Sequence, residues 1–593
     1  MRRVLRNLEA ARALATPLRL LMTTWLLLTL ASTSDAQQLI PGDIACRVTS
    51  SHITYPSSPL PYPDTSGPYA VQYRIGFGAW IDATVYTSVY GATNASPSND
   101  KSGYSSNTSM SFVSIPVRPL AFVQLRVTRI GDRFRAGDHP SVRPSVKLVG
   151  VELANDGTVL LSRLTEPGFA GEQFLLWWGD ATAGAAVQGL AFFLDPQYTA
   201  PTTGSVKTIT GTFDPLTDLS GYDTIDFEGQ VSVGPAGNQL FTVPRFINTV
   251  YFGAGAWVQG KLRFKQTGNA VERRIYGPGV LDVSRFEYDL RACDDNSPYP
   301  EQGDHAISID PRDVPDTFLL DGIVITDHNH ATADLLVNST INNVKSIGWN
   351  GLNGGFRLGD HTTASNIFLR SGDDSLMMWG ASVTVTNATV WQNYNGGVVN
   401  LGWGDTSPGD DGLIDGLYVV KTDWILPVAT DAVWNAANLN AQNDAVFTSL
   451  MVPGTMFGTV KPSVYRNIFI EDAPRTLFSL RILSPQCSDE NAPRAGECDQ
   501  NAPLTATSVL NLNIENLFTP PSTVENSIGF ATLPDNSPMP GYKLQGTMKI
   551  GLVNVWGKSA DGRYRLLTRA DPTVVGRIST NDTDVHIFTV PVR

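Results

Sequence analysis

The segment Asn343-Val344-Lys345-Ser346-Ile347 is answered 23 residues later by Asn366-Ile367-Phe368-Leu369-Arg370, and this echo decides the fold. The same opening, Asn or Gly followed directly by an apolar residue, recurs at Gly322-Ile323, Asn387-Ala388, Gly416-Leu417 and Asn467-Ile468. Successive intervals are 21, 23, 21, 29 and 51 residues, the last long enough for two turns with an insertion. A repeat of about 20 to 30 residues, built from short strands and Asn or Gly corners without amphipathic helices, fits a parallel β-helix. Coils stacked about 4.8 Å apart bring side chains distant in sequence to line one open groove. Leucine-rich repeats share the period, but their L-x-x-L-x-L pattern is missing.

Working outward from the repeat, the upstream sequence obeys a different rule. Phe122-Val123-Gln124-Leu125-Arg126-Val127 and Val146-Lys147-Leu148-Val149-Gly150-Val151 alternate with the period of two that marks half-buried strands. From about Val71 to Phe193 this predicts a β-sandwich. The pattern changes after the turn-rich Pro201-Thr202-Thr203-Gly204. The expected organisation is a leader over 1–36, a β-sandwich over 37–205 and a parallel β-helix over 206–593, an all-β class. The 53 Gly and 38 Pro, scattered between short apolar runs, agree with many short strands.

With 593 residues, 42% of them hydrophobic and 17% charged, the chain has the profile of a globular protein able to bury a large core. Its net charge of −13 repels phosphate backbones and anionic membranes, whereas a neutral polymer does not feel it. Nucleic acid and membrane partners are therefore not expected. Arg2, Arg3, Arg6, Arg12 and Arg19 precede an apolar run from Leu20 to Ala31, and Ser34-Asp35-Ala36 fits a small-residue cleavage site. A signal peptide and a secreted chain starting near Gln37 are expected. The sequons at Asn94, Asn107, Asn338, Asn387 and Asn581 suit a secreted glycoprotein. Cys46, Cys293, Cys487 and Cys498 permit two disulfides in an oxidising compartment, with Cys487 and Cys498 the nearest pair in sequence, or else buried free thiols.

Within the repeat, Leu369-Arg370-Ser371-Gly372-Asp373-Asp374-Ser375-Leu376-Met377-Met378-Trp379 sets two carboxylates between an apolar strand and an aromatic residue. Neighbouring like charges disfavour joint ionisation, so one carboxyl keeps its proton as a general acid while the other stays ionised. Glycoside hydrolysis needs that division of labour. The plainer reading is a solvated Asx corner. That reading suits the two other acidic pairs, Asp294-Asp295 and Asp410-Asp411, the second also carrying a weak calcium option.

The neighbouring sequence separates Asp373-Asp374 from those corners. The run from Val250 to Gly260, then Ile275-Tyr276-Gly277-Pro278-Gly279-Val280-Leu281, then the Asp-Asp segment, then Val398-Val399-Asn400-Leu401-Gly402-Trp403, match in order the motifs of one family. The chain resembles glycoside hydrolase family 49, the dextranases and isopullulanases. The resemblance covers most of the chain after about residue 240 and, more weakly, the part before. It implies an N-terminal β-sandwich joined to a right-handed parallel β-helix, and inverting hydrolysis of α-glucans. Asp373 would then be the general acid, and Asp374 would bind substrate or help to activate water.

Two positions depart from the family pattern. The family's third Asp, in Q-T-D-G, aligns with Gly354, and the Lys of D-D-x-L-K-M-Y aligns with Met377. The base must then be Asp374 or Asp360, or be missing, so the alternatives are a hydrolase with a relocated base and a carbohydrate-binding or wall-associated protein without catalysis. Trp349, Trp379 and Trp403 offer flat faces for pyranose rings or are core aromatics. Arg357 offers hydrogen bonds to hydroxyls or is a surface side chain. His328-Asn329-His330 reads as a surface loop more than a metal site. There is no G-x-S-x-G, no Walker A, no dinucleotide fingerprint and no G-H-G of the family 28 polygalacturonases. No metal and no cofactor is expected; the partner is an α-glucan, and a monomer is expected.

Overall fold

The computed structural model describes most of the chain between residues 69 and 590, apart from shorter gaps and the longer stretches 90–108, 179–188, 284–304, 425–443, 484–506, 533–544 and 568–577. The leader, all four cysteines and the sequons at Asn94, Asn107 and Asn581 lie outside the described residues. What is described belongs to one compact unit and contains no α-helix. Strands between Tyr69 and Asp195 form two five-stranded sheets, in which nearly all pairs are antiparallel. Their facing sides bury Tyr69, Val71, Val113, Val123, Leu125, Phe174, Leu176 and Phe192. In Phe122–Arg129 the period-two alternation has this physical basis, Val123, Leu125 and Val127 leaving water, whereas residues 146–149 form no strand and Val146 and Leu148 stay exposed.

From Val206 onward the strands pair in parallel and stack into coils, apart from the short Tyr564–Leu566 strand, which runs antiparallel to Gln545–Lys558. One coil shows the design. Thr363–Ser365 forms a first face, Phe368–Ser371 a second and Leu376–Met378 a third. Each pairs with the same face of the coil before and after, for example Leu369 with Ser346 and Val390, and Leu376 with Phe356 and Val399. Ile341, Ala364, Val385 and Ile414 on the first face meet Leu369 and Val390 on the second and Phe356, Leu376, Val399 and Phe447 on the third in one continuous core.

The corner between the first and second faces is where the recurring Asn or Gly falls. Asn343, Asn366, Asn387 and Asn467 have φ between +52° and +57°, and Gly322 and Gly416 have φ of +87° and +84°. An L-residue pays for this left-handed conformation, and Asn tolerates it because its amide bonds locally. Here the amides bond along the stack instead. Asn387 Nδ2 donates to Asn366 Oδ1 at 2.6 Å, and Asn467 Nδ2 donates to Asp415 Oδ1 at 2.6 Å. The ladder continues through Asn516 and Asn554, each donating to the preceding Asn at 3.0 Å. Asn387 is thus a corner amide already engaged, while the sequon residue Asn338 is exposed.

One spacing inference needs correction. The interval of 51 residues between Gly416 and Asn467 spans a single coil, because Leu417 pairs directly with Ile468. Between Leu413–Trp424 and Ala445–Met451 the sequence holds residues 425–443, which lie outside the described residues and account for much of the extra length.

The sandwich packs on the second face. Tyr86, Phe112, Leu175, Trp177 and Phe193 form a second apolar layer with Trp257, Val280, Val324, Ile347, Phe368, Trp391 and Val420. Phe193 meets Phe368 at 5.3 Å and Trp177 meets Trp391 at 5.6 Å between centroids. Beside this layer Lys345 Nζ lies 2.5 Å from Asp195 Oδ1, with side chains 0% and 1% exposed. Asn343 Nδ2 donates to the same carboxylate at 2.7 Å, which ties a corner of the helix to the end of a sandwich strand.

Candidate active site

Asp373 and Asp374 occupy the turn that carries the chain from the second face, ending at Ser371, to the third, starting at Leu376. Both are partly exposed, so neither side chain enters the core. The turn is pinned from below and above. The amides of Gly372 and Asp373 donate to the Asn353 carbonyl at 2.9 and 3.0 Å, and Gln392 Nε2 donates to the Asp373 carbonyl at 2.8 Å. Ser375 Oγ in turn holds Gln392 Oε1 at 2.5 Å.

The two carboxyls differ in their partners. Asp374 accepts from the Gly397 amide at 2.6 Å on Oδ1 and from Asn400 Nδ2 at 2.5 Å on Oδ2. Asp373 Oδ1 accepts from the Asp374 amide at 2.8 Å. Burial pushes Asp374 up to about 6, against the opposing effect of the Gly397 and Asn400 bonds and the Arg357 charge. Burial, and then the Asp374 charge, raise Asp373 well above its ordinary value, with Asp444 adding to the rise and Arg357 opposing it. The two carboxyls are therefore unequal, and Asp373 is the one held further toward its protonated form.

Of the other residues singled out in the sequence, two join the pair. Trp379 Nε1 donates to Asn400 Oδ1 at 3.3 Å, so Asn400 links the indole to the Asp374 carboxylate. Arg357, one coil earlier and paired with Met377, stacks its guanidinium 5.4 Å from the Trp379 ring. Asp360 does not join them. It follows the Phe356–Leu358 strand, at the opposite end of the third face, where its Oδ1 accepts the Ala381 amide at 2.7 Å. It is an exposed corner residue. The backbone of Trp403 pairs with Leu450, while its side chain and all of Trp349 lie outside the described residues.

One other expectation changes. His328 is fully buried, with Nε2 2.8 Å from Ser346 Oγ and 3.3 Å from Thr332 Oγ1, so it is part of an interior hydroxyl network and not of a surface loop. Among the described residues no three His, Cys, Asp or Glu side chains cluster to hold a metal. Asp410 and Asp411 shape a corner: Asp410 Oδ1 accepts the Val460 amide at 2.9 Å and Asp411 pairs with Lys461 at 2.5 Å.

The sequence reading missed Gln392, Gly396, Asn400, Asp444 and Trp424 as parts of the site. Trp424 Nε1 donates to the Gly396 carbonyl at 2.8 Å. Gly396 has φ of +75°, and a β-carbon there would lie 2.5 Å from Asp373 Oδ1, so only glycine fits beside the pair. Counting one coil of 23 residues from Asp373 and Met377 would have found Gly396 and Asn400. No such count reaches Asp444, because the insertion after Trp424 breaks the period.

The fold and the site define a sandwich-plus-β-helix protein with a carboxyl pair at the edge of its third face. No family model matches the chain. It is 25% identical over 276 residues to a dextranase of Arthrobacter sp. (strain CB-8), 43% of this chain and 41% of that protein. It is 26% identical over 262 residues to a dextranase of Arthrobacter globiformis, covering 41% and 39% of the two chains. An isopullulanase of Aspergillus niger is 22% identical over 258 residues, 41% of this chain and 44% of its own. The matches thus span about two fifths of each relative's length. Dex49A from Penicillium minioluteum shares the fold, with a TM-score of 0.57 at 14% identity over 88% of this chain and 94% of its own. In sequence the chain is thus similar to two dextranases and an isopullulanase over part of their length, and in fold to Dex49A.

Proposed function

We propose that this protein is a secreted glycoside hydrolase that cleaves dextran- or pullulan-like α-glucans by a single inverting displacement. The observation that carries the reading is the unequal carboxyl pair: Asp373 is raised by burial and by its neighbour, and Asp374 is held by two donors. In this reading Asp373 protonates the leaving glycosidic oxygen. Asp374 orients the attacking water or a substrate hydroxyl, and its two fixed donors keep it ionised near neutral pH. Trp379 and Arg357 supply a ring face and a donor for the sugar, a combination suited to a neutral polymer of C–H faces and hydroxyls. The acidic chain does not oppose such a substrate.

A second reading is a carbohydrate-binding protein that lacks turnover, favoured by the absence of a carboxylate at Gly354 and of a cation at Met377. Incubating the purified chain with dextran, pullulan and β-glucans, alongside Asp373→Asn, separates the two. Release of reducing ends from an α-glucan by the wild type, lost in Asp373→Asn, is the expected result. Sugar binding without cleavage by either protein would overturn the hydrolase reading.

A further inference from the structure

The missing carboxylate at Gly354 turns attention to what the stack places on the other side of the pair. Leu376 pairs with Val399, and Val399 pairs with Phe447. The bonds from Ser375 N to Gly397 O at 2.9 Å and from Val398 N to Ala445 O at 3.1 Å extend that register backwards into the turn. The column holding Asp373 therefore runs to Gly396 and then to Asp444. Ala445 pairs with Thr476, which puts Arg475 on the next rung. Two rungs of about 4.8 Å each separate the backbones of Asp373 and Asp444, about 9 to 10 Å. The rung between them bears no side chain, and a β-carbon on it would strike Asp373 itself.

Asp444 is 4% exposed and accepts from Arg475 Nη1 at 2.6 Å, a charge-assisted pair that holds it as a carboxylate. A carboxylate with little access to water is poorly placed to deprotonate one. It is well placed to act through space on the acid across the bare glycine rung. The charged groups around Asp373 are then Asp374 beside it, Arg357 from the coil before, and the Asp444 and Arg475 pair from the coils after.

We propose that Asp444, held by Arg475, is the third carboxylate of the site and a positioning residue that keeps the proton on Asp373. The proposal rests on the hydrolase reading above and names how the acid is kept in its working state. It also explains how a site without a carboxylate at Gly354 still holds three carboxyl groups: the third enters from two coils further on.

The test compares the full chain with Asp444→Asn, Arg475→Gln and the double variant by two measurements. One is the pH dependence of kcat/KM for dextran, whose alkaline limb reports loss of the acid's proton in the free enzyme. The other is the titration of the Asp373 carboxyl, followed by 13C NMR of Asp-labelled protein, with Asp373→Asn identifying its resonance. Removing the Asp444 charge is expected to move both to lower pH by roughly half to one unit. Removing the Arg475 charge is expected to move both to higher pH, and the double variant to lie between. Opposite shifts of this kind do not arise from a merely structural defect.

A rate that falls equally at every pH, with the limb unmoved in both single variants, would overturn the proposal. So would a loss of turnover in Asp444→Ala that azide restores, since Asp444 would then be the base. If the wild type cleaves no glucan, the NMR arm still decides: an unmoved Asp373 titration sinks this inference, whereas opposite shifts support it while the hydrolase reading alone fails.

Discussion

Met377 lies directly over Gly354: a β-carbon placed on the glycine would come within 3.1 Å of the methionine Cε and 3.3 Å of the Asp374 carbonyl. The two departures from the family pattern are therefore one packing event. The methionine is 5% exposed and fills space beside the acidic pair that a carboxylate and a cation would otherwise share. Changing either residue alone disturbs the other.

Gly354→Asp alone adds another carboxyl beside the Asp373 and Asp374 pair, which burial already disfavours as anions. We expect a loss of about 1–3 kcal/mol in stability, read by denaturant unfolding, and no gain in dextran cleavage. Combined with Met377→Lys the added charge is matched, stability recovers, and cleavage of dextran rises at least about tenfold. A double variant no more active than the wild type would show that the substrate does not reach this corner.

Asp373→Asn removes the proposed proton donor while preserving shape. Turnover is expected to fall by about 10²- to 10⁴-fold with little change in KM, measured by reducing-end release at the pH optimum.

Asp374 is raised to about 6 in the folded chain, above its unfolded value. The sign is that of a raised acid: its favourable contribution is complete below the unfolded pKa of about 3.9 and is lost as pH rises through about 6. Asp374→Asn is therefore expected to gain on the wild type between pH 4 and pH 7, by about 1–2 kcal/mol after allowance for its partial exposure. Thermal unfolding of both proteins at the two pH values checks this, and an equal difference at both would contradict it.

Asn387→Ala keeps the left-handed corner but loses the amide that bonds Asn366 at 2.6 Å and receives Lys147 Nζ at 3.1 Å. A cost of about 1–3 kcal/mol is expected, and a smaller one for Asn387→Gly, which relieves the backbone but not the lost bonds. The ordering of the two variants in urea unfolding is the check.

Lys345→Met strands the buried Asp195 carboxylate between the sandwich and the coils. Breaking one side of such a pair costs about 3–5 kcal/mol, far more than the pair itself stabilises. Urea unfolding of the variant and the wild type at pH 7 checks this, and a difference below about 1 kcal/mol would contradict it.

Corner residues were legible because the left-handed turn is a local demand, met by Asn or Gly whatever lies around it. The sandwich alternation was legible for the same reason, since each strand must bury one face. The Asp373-Asp374 pair stood out by its chemistry and by the order of motifs around it. Asp360 misled, because an Asp-His corner looks alike whether it stands beside a site or at the far end of the strand.

What the amino-acid order alone determined, then, was the coil and its carboxyl pair: backbone strain and hydrophobic period act over a few residues and leave their mark there. Only the stacked structure decided that Asp444, beyond an insertion that hides the period, returns to the Asp373 column, and that Met377 closes over Gly354. Both depend on distances between coils, and strand register sets those distances through hydrogen bonds that no local pattern records.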